Sequence, residues 1–116
     1  MHSRGDKNLD LEYNKGILFI RFRKSINKEL AKEINQYLIP KVLEQKIKYI
    51  VLNLYNVESV DQFGLDSLLN LKCAVKTNKG KICLCEISKE LSKKINLVKL
   101  RRINSEMQAF DIIGAM

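Results

Sequence analysis

The stretch VLNLYNVESVDQFGLDSLL, residues 51–69, decides how this chain folds. It continues the apolar run YIVLNL at 49–54, whose lack of polar alternation marks a strand covered on both faces. After an acidic loop, Leu65, Leu68, Leu69, Leu71 and Val75 recur at the period of an amphipathic helix. Lys72 and Lys76 intrude on that stripe and must extend their stems to water. A buried strand that turns through a short loop into a helix is the unit from which α/β sheets are built.

On the N-terminal side, LDLEYN and GILFIRF flank Asn14-Lys15-Gly16, a turn sequence, and read as a β-hairpin. Ile17, Leu18, Phe19, Ile20 and Phe22 leave the second strand no polar face. From Asn27 the period becomes helical, with Leu30, Ile34, Tyr37 and Leu38 on one stripe. Asn27 is placed to cap, and Glu29 lies in the first turn. Pro40 lacks a donor and predicts a kink or a break before KVLEQK.

On the C-terminal side, the helix should end near TNKG, where Gly80 would supply a positive φ. KICLCEI reads as the next strand, and Ser88 as the cap of a short helix that buries Leu91, Ile95 and Val98. After LRRI, Ser105 and Gln108 have capping-box spacing, Glu106 suits a first turn and Gly114 marks the end of the last helix. The expectation is one α/β domain over residues 1–116, with the polar residues 1–7 disordered.

The 116 residues, 46% of them hydrophobic, are enough to bury one core and too few for two. A net charge of +8 raises the question of an anionic partner, but the lysines are spread as on a solvated surface. No basic run is interleaved with aromatic residues, so no specific nucleic-acid binding is expected. Arg101 and Arg102 likewise read as solvated. No window is apolar enough to insert in a membrane, and MHSRGDKNLD has no secretory core, so a soluble cytoplasmic protein is expected. Cys73, Cys83 and Cys85 form no disulfide framework. Cys83 and Cys85 would share one strand face, but a structural metal wants four convergent ligands and the only histidine is His2. They read as core cysteines, with no metal and no cofactor expected.

The order of elements, and the residues Asp61, Gly64 and Leu65 after a strand ending in LNL, resemble the STAS family, whose members include the anti-sigma-factor antagonists. The resemblance implies an α/β, SpoIIAA-like fold: a mixed β-sheet with an N-terminal hairpin and about four packed α-helices. In the family pattern this corner reads Asp-Ser-Ser/Thr-Gly-Leu, and the residue after the Asp is phosphorylated by a partner kinase that is also the anti-sigma factor. Here Gln62 stands at that phosphoacceptor position and Phe63 follows it, so phosphorylation at 62 is chemically impossible. Ser59 and Ser67 are nearby and inherit no role by alignment. Arg23, Lys24, Ser25 and Ile26 replace the Gly-x-Leu-Asp-like turn of many phosphorylatable members.

The resemblance implies a regulator without enzymatic activity. Its binding face for an anti-sigma factor or serine-kinase-like switch protein would comprise Glu58, Ser59, Asp61, Gln62, Phe63, Gly64, Leu65 and Asp66 together with the exposed side of the helix that follows, with Arg23 and Lys24 receiving an acidic partner. An alternative is the small STAS subunit of a lipid-transport ABC system, seated against the transporter ATPase. The residues leave local readings open. Asp61 is a helix cap or a partner contact, Phe63 a core residue or an exposed anchor, and Gly64 serves close packing or an unusual dihedral. For catalysis there is no histidine in the domain body, no phosphate-cradling loop and no nucleophile placed beside a base.

Overall fold

The chain enters its sheet through the expected hairpin. Strands β1 (Leu9–Asn14) and β2 (Ile17–Phe22) pair antiparallel, from Leu9 opposite Phe22 to Asn14 opposite Ile17. Lys15 (φ 52°) and Gly16 (φ 84°) both turn left-handed between them, the handedness that matches strand twist. The structure, a computed structural model, describes residues 8–95 and 99–114. The disorder expected for 1–7 and the burial expected of Val98 lie outside the described residues.

From β2 onward every strand is parallel: β3 (Tyr49–Asn53), β4 (Lys81–Cys85) and β5 (Arg101–Ile103) follow in spatial order β1-β2-β3-β4-β5. Parallel neighbours need crossovers, which the helices supply. Helices α1 (Lys28–Glu33) and α2 (Ile39–Glu44) join β2 to β3; α3 (Gln62–Thr77) joins β3 to β4; α4 (Lys89–Ile95) precedes β5; α5 (Glu106–Gly114) follows it. One face of the sheet packs Leu18, Ile20, Ile50, Leu52 and Leu84 against α1 to α4. The other packs Ile17, Phe19, Val51, Cys83 and Cys85 under Ala109 and Phe110 of α5. Both faces are thus dry, which is why the strand sequences do not alternate.

Pro40 does not break the helix. A π-helical turn, Ile34–Leu38, links α1 to α2, and the Ile39 N–H donates to the Ile34 carbonyl five residues back. The wider turn takes up a residue that cannot donate, and α1 and α2 run on as one rod. It also corrects the stripe: Leu38 reaches the core while Tyr37 stays 53% exposed. Leu69 of α3 likewise faces outward. Counting the rod once, four helices of the described residues pack on the sheet.

Two end signals are met by different atoms from those expected. Lys79 (φ 61°), not Gly80, takes the left-handed position after α3. Gly80 is required for space, because a Cβ there would overlap the Lys48 carbonyl. At α5 the Gln108 side chain reaches back past Ser105 and accepts from the Asn104 N–H at 2.6 Å. Asn27 and Ser88 cap as expected, accepting from Leu30 and Leu91.

Cys83 and Cys85 are core residues. Burial pushes the Cys83 thiol up and the Cys85 thiol to about 12, so neither presents a thiolate near neutral pH. Only Cys73 of the three is exposed. Native protein should therefore react with one equivalent of a thiol reagent such as Ellman's, and denatured protein with three. Fast reaction of a second thiol would show that α5 does not cover β4.

Candidate functional site

The corner between β3 and α3 is built by two chain segments that hold each other. Ile26 and Val60 form a parallel bridge. The Ile26 N–H donates to the Ser59 carbonyl at 3.0 Å, and the Asp61 N–H donates to the Ile26 carbonyl at 3.1 Å. Ser25 tightens the pair, since its Oγ accepts from the backbone N–H of Glu58 (3.2 Å) and of Ser59 (3.0 Å). Backbone donors that would otherwise fray the loop are thereby satisfied.

Asp61 is the cap of α3. Its Oδ1 accepts from the Gly64 N–H at 2.8 Å, meeting one orphan donor of the helix start. Gly64 then allows the helix to come down onto the 23–27 segment: a Cβ built there would lie 2.6 Å from the Ile26 carbonyl oxygen. Its role is close packing, without a left-handed dihedral. Leu65 is buried beside it. Of the residues expected to meet a partner, Gly64 and Leu65 thus position the loop and offer no exposed side chain.

Gln62 and Phe63 stand outside. Gln62 is the first residue of α3, exposed, and its Nε2 donates to Asp66 Oδ1 at 3.0 Å one turn on. Phe63 is 52% exposed, so the core reading of this residue is set aside. Lys28 of α1 places its Nζ 5.2 Å from the Phe63 ring centroid, in cation–π range. Beside them a cleft of about 330 Å³ is lined by Lys28, Lys32, Gln36, Phe63 and Asp66. Tyr55, which the sequence did not single out, adds a 73% exposed ring at the start of the loop.

The flanking charges divide. Glu58, Asp61 and Asp66 are exposed around the corner. Arg23 is drawn toward the hairpin, with Nη2 4.0 Å from Asp10 Oδ1, and Lys24 is half-buried. The two serines differ in access. Ser59 is exposed, whereas Ser67 is wholly buried and donates to the Gly64 carbonyl at 2.7 Å. A kinase could reach the first and not the second.

A family model, the STAS domain, matches residues 8–111. The chain belongs to the STAS domain family. An anti-sigma F factor antagonist of Paenibacillus polymyxa is 18% identical to this STAS domain over 95 residues, 82% of this chain and 81% of that one. Among solved structures, the anti-sigma factor antagonist SpoIIAA in its unphosphorylated form superposes with a TM-score of 0.78 at 15% identity, covering 93% of this chain and 99% of its own. A variant of RsbS from Moorella thermoacetica matches with a TM-score of 0.78 at 11% identity, over 97% of each chain. At such identities these two likenesses carry the fold.

Among the described residues no group of three or more His, Cys, Asp or Glu could hold a metal ion, and no helix is long and apolar enough to cross a membrane. What the corner can do chemically is present a fixed ring, an amide and a cation to another surface.

Proposed function

We propose that this STAS domain is a non-enzymatic, cytoplasmic regulator of the anti-sigma-factor-antagonist type. It binds an anti-sigma factor or serine-kinase-like switch protein through the exposed residues of the 58–66 loop and thereby frees a sigma factor for transcription. The observation that carries this reading is the pair Gln62 and Phe63, exposed on a loop whose backbone is pinned from both sides. A preorganised loop spends little of its binding energy on ordering, and an exposed aromatic ring can anchor an interface by filling a pocket on the partner.

The chemistry of Gln62 sets the regulation. In a phosphorylatable relative, a phosphate at a helix N-terminus adds roughly −1.5 to −2 charges to the docking face and dismisses the partner. Gln62 is neutral and has no hydroxyl, so this switch is held in its binding form. Release then comes from competition or from partner abundance. The absent acceptor also favours a second reading, a STAS subunit seated on the ATPase of a lipid-transport ABC system, where no phosphorylation cycle is needed.

One titration separates them, using purified serine-kinase-type anti-sigma factor and purified transporter ATPase from the same cells. Wild type should bind the anti-sigma factor equally before and after incubation of the two with Mg-ATP, and should carry no phosphate. Phe63→Ala should weaken binding by about 2 kcal/mol, roughly 30-fold. Phosphate on Ser59 with loss of affinity would sink the fixed-switch reading. Binding only to the ATPase would transfer the protein to the second.

A further inference from the structure

The excess charge of this chain is not spread over its fold. Residues 67–85 and 91–105 contain no Asp or Glu and carry nine of the 21 Lys and Arg. The remaining twelve are balanced by the chain's 13 acids. Folding gathers five of the nine around one cleft of about 340 Å³, between the C-terminal half of α3 and the N-terminal ends of β4 and β5. Its rim is formed by Lys72, Lys76, Lys81, Lys99 and Arg101, and its floor is apolar, formed in part by Val75, Ile82 and Leu100. No carboxylate lines it.

Two of these cations have a local reason to be there. Lys72 and Lys76 lie toward the C-terminus of α3, where a positive charge complements the helix dipole, and Lys72 Nζ also donates to the Lys99 carbonyl at 3.2 Å. That reason does not extend to Lys81, Lys99 and Arg101, which arrive from the strand side. Among the described residues, none of Lys76, Lys81, Lys99 and Arg101 is held in an ion pair. Like charges brought together over an apolar floor repel each other more than they would in open water. A compact anion relieves that repulsion and gains charge-assisted hydrogen bonds from several ammonium groups and a guanidinium.

We propose that this cleft is an anion site for a ligand with clustered phosphate groups. Size and chemistry select the class. The volume is at the lower end of small-molecule sites, a single carboxylate would leave most of the cations unmatched, and a diphosphate-sized group can meet several at once. The site is separate from the docking corner: α3 carries the two at opposite ends, about 20 Å apart along its axis. The same chemistry occurs in a soluble phosphorylated metabolite and in a phospholipid headgroup, and the test separates these sources.

The experiment is a titration of the full ¹⁵N-labelled chain with pyrophosphate at about 150 mM salt, where surface charges are largely screened. Amide shifts should saturate and be confined to residues 72–82 and 99–101. The double variant Lys81→Glu/Arg101→Glu should weaken binding by roughly tenfold or more, because it replaces two attractive charges by two repulsive ones. The control Lys89→Glu/Lys93→Glu makes the same change in net charge at exposed residues that do not line the cleft and should bind as wild type. Equal weakening in both variants, or shifts scattered over every lysine, would reduce the effect to net charge and overturn the proposal. Absence of saturable shifts would overturn it as well. Flotation with cardiolipin vesicles against phosphatidylcholine vesicles then assigns the source. Cleft-dependent flotation supports the headgroup, and pyrophosphate binding without flotation supports the soluble ligand.

Discussion

Gly64→Ala should destabilise the domain by about 1–3 kcal/mol, the usual cost of forcing an extra carbon into a closed contact. The added Cβ would lie 2.6 Å from the Ile26 carbonyl oxygen, 2.7 Å from Val60 Cγ1 and 2.9 Å from Ile26 Cγ2. The two methyl groups can rotate or shift. The carbonyl cannot, since it accepts the Asp61 N–H and belongs to the bridge between Ile26 and Val60. Alanine gains up to about 1 kcal/mol of helix propensity over glycine, which offsets only part of the clash. In a domain of this size the midpoint of thermal unfolding should fall by roughly 3–6 °C for each kcal/mol. Cys73→Ala, at an exposed position of the same helix, isolates the propensity gain and should leave the midpoint nearly unchanged or slightly raised. An equally unchanged midpoint for Gly64→Ala would mean that the 23–27 segment yields freely. The corner would then not be preorganised, and the affinity argued for Phe63 would lose its basis.

How far the sequence discloses this molecule depends on the range of the interaction concerned. The hairpin is legible because Asn14-Lys15-Gly16 is turn chemistry in three adjacent residues. The strands are legible because coverage of both sheet faces removes polar alternation from YIVLNL and ILFIRF. Asn27 is legible as a cap, and a cap is one of the two readings open for Asp61, because a cap acts on a backbone N–H three residues away. The requirement for Gly80, by contrast, comes from Lys48, just before the neighbouring strand β3 and far from it in sequence, which no local pattern discloses. Tyr37 leaves the apolar stripe because a π turn changes the helical period, and periodicity cannot report its own interruption. At the candidate site, the family pattern draws attention to Gln62 and Phe63, but neither Lys28 over the Phe63 ring nor Ser25 under the loop follows from spacing. Both arrive from about 35 residues away. The cationic cleft is the clearest case: five cations that look dispersed along the chain converge only when α3 crosses β4 and β5.

Glu106, which by sequence suits a first turn, is also the pin that fastens α5 to the sheet. Arg21 of β2 donates to it twice, from Nε at 2.8 Å and from Nη2 at 2.7 Å, and Asn53 Nδ2 of β3 donates to Oε2 at 2.8 Å. Arg21 also meets Glu12 at 2.9 Å, and Asp10 lies 3.8 Å away. Glu106→Gln keeps the shape but turns an amide donor toward a guanidinium or toward Asn53, leaving at least one donor facing another. The expected cost near neutral pH is about 1–2 kcal/mol, less than three buried charged hydrogen bonds would give because Arg21 is a third exposed. The pH dependence distinguishes lost charge from lost packing. The hydrogen bonds from Arg21 hold the Glu106 carboxyl below its ordinary value of 4.5, so the folded state binds the proton less readily than the unfolded state. Its stabilisation is therefore complete above about pH 4.5 and is lost as the pH falls through the lowered folded value, while Arg21 stays protonated throughout. Urea unfolding of wild type and variant should show a constant gap above that pH and a closing gap below it. A gap that persisted down to about pH 2 would assign the loss to packing of the amide. The same variant should also let α5 lift more often, and because α5 covers β4, the buried Cys83 and Cys85 thiols should react faster with Ellman's reagent than in wild type. Faster thiol reaction together with the closing gap would identify this ion pair as what keeps the second face of the sheet dry.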